Sequence, residues 1–179
     1  MKKVLFIFCC TWACTGYSQF TSAKSKPPVK RYKESAARVK KVYEDPSDSA
    51  YIYYTLGWEA YKSQNFDAAR YFWERGANCE TNIPSKYSSA FRLALMHQNG
   101  EGVGVNQEIA FYYYTLAYAE GKSEGNVDAT KNIAAYYENG FVMVKDNFKA
   151  LEWYTRAKNQ GNRYCNEDIA RVRKKITQQ

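Results

Sequence analysis

The sequence contains one histidine, His97. A zinc site built on two histidines is therefore excluded, and a serine-histidine-acid arrangement would have to use this single ring. His97 falls near the end of a helical stretch, where the helix dipole favours a cation, and it reads as structural. Gly100, Gly102 and Gly104 follow a helix rather than a strand, which removes the phosphate-cradling fingerprint. Glu59, Glu101 and Glu138 have no fixed separation that would make an acid and base pair, so a solvated face is their default reading. No nucleic-acid module is recognisable. Most of the 17 tyrosines fall at positions such as Tyr112 to Tyr114 and Tyr136-Tyr137, where packing accounts for them. The residues imply no metal, no cofactor and no enzyme.

Long apolar runs are also lacking. Met1-Lys2-Lys3 is followed by a short apolar run over residues 4–10, and Gly16-Tyr17-Ser18 supplies small residues for cleavage after Ser18. That pattern is an export signal over residues 1–18, which places the chain in the periplasm or outside the cell. A retained anchor is the rival reading, but the run is well short of the ~20 residues that span a bilayer. A lipid-anchored form acylated at Cys14 is a third reading, and Thr11-Trp12-Ala13 fits it poorly. Removing the leader leaves two of the five cysteines, Cys79 and Cys165.

What the chain does have is a repeat. Asn99-Gly100 recurs forty residues later as Asn139-Gly140, Leu93-Ala94 as Ile133-Ala134, and Asn106 as Asp146. Ala110 recurs as Ala150, Tyr114-Thr115 as Tyr154-Thr155, Ala117 as Ala157, and Gly121 as Gly161. So many small and aromatic positions in one register indicate duplicated structural units. Each unit reads as a helix closed by Asn-Gly, a loop, an Asn or Asp N-cap, and a second helix closed by glycine. The alanines let paired helices approach closely, and Tyr114 and Tyr154 fill the space beside them.

These residues resemble the Sel1-like repeat, a relative of the tetratricopeptide repeat. The likeness lies in the small residue on the first helix, the Asn-Gly stop, the loop Glu101-Gly102-Val103, the Ala-x-x-x-Tyr of the second helix and the Ala-x-x-x-Gly exit. Gly161-Asn162 also echoes Gly125-Asn126 at a spacing of thirty-six. Phe141-Val142-Met143-Val144 departs from the pattern by replacing the glycine-rich turn. A more divergent first unit carries Tyr53, Leu56, Gly57 and Ala60 on one stripe, then Asn65, Ala69, Trp73 and Gly76. The resemblance implies an all-α fold: a short α-solenoid of about three antiparallel helix pairs over residues 49–176, with a C-terminal capping helix through Ile169-Ala170. Cys79 and Cys165 then stand two units apart, beyond the ~7 Å Cα limit for a disulfide, and both are expected to be free. Cys165 occupies the place of Ala129, which suits a small buried side chain.

Charge is uneven. Residues 24–41 carry eight basic side chains against Glu34 alone, and the C-terminal helix adds Arg163, Arg171, Arg173, Lys174 and Lys175. Residues 49–162, with eleven basic and twelve acidic side chains, are close to neutral. The basic ends suit weak attraction to anionic surfaces, or simply keep an exported protein soluble. Residues 19–48 read as a basic linker containing Pro27-Pro28, followed by a short amphipathic helix over residues 34–43.

The candidate partner site follows from the resemblance, because first helices line the concave groove in tetratricopeptide-like stacks. Tyr51, Tyr54, Trp58 and Tyr61 form a second stripe on the first long helix. Carried forward, the same register reaches Phe91, Arg92 and Leu95, then Lys131 and Asn132. Aromatic and arginine side chains are the usual anchors for a peptide. Packing of residues 34–43 over this stripe is the competing reading, since a first repeat needs covering. The function expected is a non-enzymatic adaptor of the cell envelope that binds a protein or peptide in the groove. The alternative is an immunity or inhibitor protein that occludes an envelope-targeted enzyme.

Overall fold

The computed structural model describes residues 49–80, 84–118 and 126–178. Among the described residues every regular element is a helix: α1 Ser49–Lys62, α2 Phe66–Ala77, α3 Pro84–Asn99, α4 Gln107–Tyr118, α5 Val127–Asn139, α6 Asn147–Asn159 and α7 Cys165–Thr177. The leader, the linker and the segment 34–43 lie outside the described residues. No described helix is long and apolar enough to cross a membrane.

Helix starts are set by side chains that satisfy backbone N–H groups left over in a first turn. Asn65 Oδ1 accepts from Ala68 N at 3.1 Å, Asn106 Oδ1 from Ile109 N at 2.9 Å, Asn126 Oδ1 from Ala129 N at 3.0 Å and Asp146 Oδ1 from Lys149 N at 2.9 Å. The caps expected at Asn106 and Asp146 are thus in place. The last helix begins at Cys165, two residues later than the expected Arg163.

Consecutive helices pair as α1 with α2, α3 with α4 and α5 with α6, and α7 packs on α6. Each second helix also packs on the next first helix, and the first helices α1 and α3 touch directly. The repeated alanines sit at the close contacts: Ala94, Ala110, Ala117, Ala134, Ala150 and Ala157 are all fully buried. The approach is closest in the first unit, where a Cβ on Gly57 would stand 2.3 Å from the Trp73 indole nitrogen. Only glycine leaves room there for a second helix carrying tryptophan where the other units carry Tyr114 and Tyr154.

Two clusters of buried residues meet at α5 and share bordering side chains, so the interior runs on from one to the other. One cluster runs from α1 through α4 onto Ile133 and Tyr136 of α5, and the other gathers Ala134 with α6 and α7. The two faces of α5 look to opposite neighbours, and Tyr137 and Trp153 border both clusters.

The two loops are closed by the same pair of backbone hydrogen bonds despite different residues. Gly100 N donates to Met96 O at 2.8 Å and Asn106 N to His97 O at 2.8 Å, and Gly140 N and Asp146 N repeat this on Tyr136 O and Tyr137 O at 2.9 Å each. Gly100 and Gly140 both adopt left-handed φ, at 77° and 71°. Gly102 is left-handed as well and lies against Phe66, leaving no room for a side chain, whereas its counterpart Val142 has an ordinary backbone. Phe141-Val142-Met143-Val144 needs no second glycine because Val142 does not take the left-handed φ that Gly102 adopts.

Cys79 and Cys165 are both free thiols. Cys165 is fully buried, as its alignment with Ala129 suggested. Burial pushes its thiol pKa up, so it is a packing group rather than a nucleophile.

Candidate functional site

Three of the residues singled out from the sequence come together across two helices. Trp58 and Tyr61, one turn apart on α1, stack at 5.6 Å with 9° between their planes. From α3, the Arg92 guanidinium lies over the Trp58 ring, 4.3 Å from its centroid. The Tyr61 hydroxyl donates to Glu101 Oε2 at 2.9 Å, which ties the stack to the loop after α3. That hydrogen bond, with burial behind it, raises the Tyr61 pKa above the ordinary phenol value. Trp58, Tyr61 and Arg92 are all half-buried, with their inner faces on the core and their outer edges reaching solvent.

The other four differ in burial and in their contacts. Tyr51, 42% exposed, lies two turns before Trp58, near the start of α1. Tyr54 is half-buried against the core, and its carbonyl accepts the Trp73 indole N–H at 3.1 Å. Phe91 turns into its own helix pair to meet Tyr114 of α4 at 5.9 Å. Lys131 ion-pairs with Asp168 of α7 at 3.2 Å and so belongs to the far end of the stack.

That end holds a polar cluster that the sequence did not reveal. Glu138, only 3% exposed, accepts from Tyr154 Oη at 2.9 Å, from Arg171 Nε and Nη2 at 2.9 and 2.8 Å, and from Lys175 Nζ at 2.6 Å. The Arg171 hydrogen bonds lead, followed by those from Lys175 and Tyr154, and together they outweigh burial and hold the Glu138 pKa down at about 2. Arg171 also reaches Asp168 at 2.7 Å. Burial and the Glu138 charge push the Tyr154 phenol well above its usual range. A repeat signal exists here too: Gln98 stands one unit before Glu138 and accepts from Tyr114 Oη at 2.7 Å. The tyrosine-acceptor pair recurs with a neutral amide inside the stack and a carboxylate beneath the cationic capping helix.

His97 is structural, but not as a helix-end cation. Burial, with Arg70 adding to it, lowers the His97 pKa, so its ring is neutral at physiological pH. It stacks on Tyr113 at 5.8 Å and 14°. Desolvation outweighs the helix dipole because the ring lies against the neighbouring helix. Of the carboxylates considered for catalysis, Glu59 is exposed, Glu101 is bonded to Tyr61 and Glu138 is fixed as an anion by α7. Among the described residues no cluster of three His, Cys, Asp or Glu side chains is placed to hold a metal ion.

Stacked antiparallel helix pairs with Asn-Gly loops and a polar-faced terminal helix define an α-solenoid, a class whose exposed inter-repeat surfaces do the work. The Sel1 repeat pattern matches residues 49–80, 88–122 and 127–162, and the chain belongs to the Sel1 repeat family. Sel1 repeats mediate protein–protein interaction. A crystal structure of a Sel1 repeat protein from Oxalobacter formigenes shares the fold: the TM-score is 0.58 at 24% identity, over 73% of this chain and 98% of that one. No curated protein matches the chain.

Proposed function

We propose that this chain is a non-enzymatic adaptor of the cell envelope, holding a protein or peptide on the surface that α1 and α3 form together. The observation that carries this reading is the Arg92-Trp58-Tyr61 stack, assembled from two repeats and half-exposed. Rigid aromatic rings beside an arginine contribute large contact area at small entropic cost, the composition of binding hot spots. The family supports a protein partner. The leader over residues 1–18 supports export, and the basic segment 24–41 supports weak attraction to anionic surfaces.

Affinity capture from the native envelope tests the surface, with the full chain compared with Tyr54→Ala and Trp58→Ala combined. The double change is expected to cut partner recovery by roughly tenfold or more, the usual scale for two hot-spot truncations. Helical circular dichroism should stay unchanged. Undiminished recovery discards the α1–α3 surface.

A further inference from the structure

On the α1–α3 surface Arg92 has an aromatic partner and, among the described residues, no acidic one. Among the described residues the ion-pairing cations are Arg70, Lys131, Arg156, Arg171 and Lys175, and Arg92 is not one of them. Glu101, the acid of the same cluster, is engaged by Tyr61 and by Asn99 Nδ2 at 3.4 Å. Stacking on Trp58 occupies a face of the Arg92 guanidinium. A stacked guanidinium keeps its N–H donors in a planar fork at its edge, the geometry that meets a carboxylate through two parallel hydrogen bonds. The indole also fixes the arginine rotamer before any partner arrives, which lowers the entropic cost of the contact.

We infer that Arg92 is the docking point for a carboxylate on the partner: the ligand is a peptide segment whose acidic side chain or free C-terminus meets the guanidinium edge while an adjacent apolar residue covers Trp58 and Tyr61. This rests on the α1–α3 surface being the partner surface, and the experiment separates the two claims.

Random peptides are displayed in two formats, one with a free C-terminus and one with the C-terminus fused, and each is panned on the immobilised full chain. A side-chain carboxylate gives Asp or Glu at one constant position in both formats. A terminal carboxylate gives binders in the free format alone. A synthesised binder should lose roughly tenfold or more in affinity with Arg92→Glu, and a lesser amount with Arg92→Gln, which removes the charge without reversing it. For a side-chain acid, changing it to lysine should restore binding to Arg92→Glu. Peptides that depend on Trp58 but carry no constant carboxylate overturn the role of Arg92 and leave the surface standing. Peptides indifferent to both Trp58 and Arg92, or no binders in either format, overturn both.

Discussion

Trp73→Ala will destabilise the first repeat by about 4 kcal/mol, the middle of the range for removing a buried aromatic side chain. Trp73 is fully buried on α2, its indole N–H bonds the Tyr54 carbonyl, and its ring meets Tyr61 at 5.6 Å. The glycine opposite, Gly57, has no side chain with which to fill the vacancy. Because each unit contacts only its neighbours, the damage should stay local. Urea unfolding followed by circular dichroism should split into an early loss of α1 and α2 and a later transition of the remaining helices. A single transition shifted by less than about 1 kcal/mol would show that Trp73 does not hold the pair together.

Glu138 gives the second large effect, and it depends on pH. Its folded pKa of about 2 lies below the ordinary 4.5, so between those values the unfolded chain binds more protons than the folded one. Its contribution is complete above about pH 4.5 and is lost as the pH falls towards 2. The shift corresponds to about 3.4 kcal/mol at 1.36 kcal/mol per unit. Arg171 and Lys175 are 46% and 38% exposed, and solvent screens them, so about 2 kcal/mol is the expected share. Glu138→Gln should therefore cost about 2 kcal/mol at pH 7 and flatten the stability profile between pH 4.5 and 2. Thermal melts of both chains across that range measure it. Parallel profiles would mean that Glu138 does not anchor the capping helix.

The contrast between these residues shows what a sequence carries. Helix pairs, caps and buried alanines were readable because they recur: Ala110 and Ala150 mark one position seen twice, and both are fully buried. Trp58 and Arg92 could be placed on one surface because successive first helices lie side by side, so a register projected from α1 lands on α3. One residue earlier, Phe91 faces Tyr114, since neighbouring helical positions point about 100° apart. Further along the register, Lys131 pairs with Asp168 on a helix that belongs to no repeat pair. The Glu138 cluster was hidden for a related reason. Its partners Arg171 and Lys175 are 33 and 37 residues away on the cap, where the repeat supplies no template. His97 was misjudged in charge because local position reports the dipole, while burial comes from a neighbouring helix.

A photo-crosslinking amino acid placed at residue 54 on α1, or at the exposed residue 148 on α6, tests the partner surface most directly when each form is irradiated in the cells that make the chain. A discrete adduct from position 54 that disappears with Arg92→Glu, and none from position 148, is the expected result. An adduct from position 148 alone, or one at 54 that persists with Arg92→Glu, would contradict a partner held on α1 and α3 through Arg92.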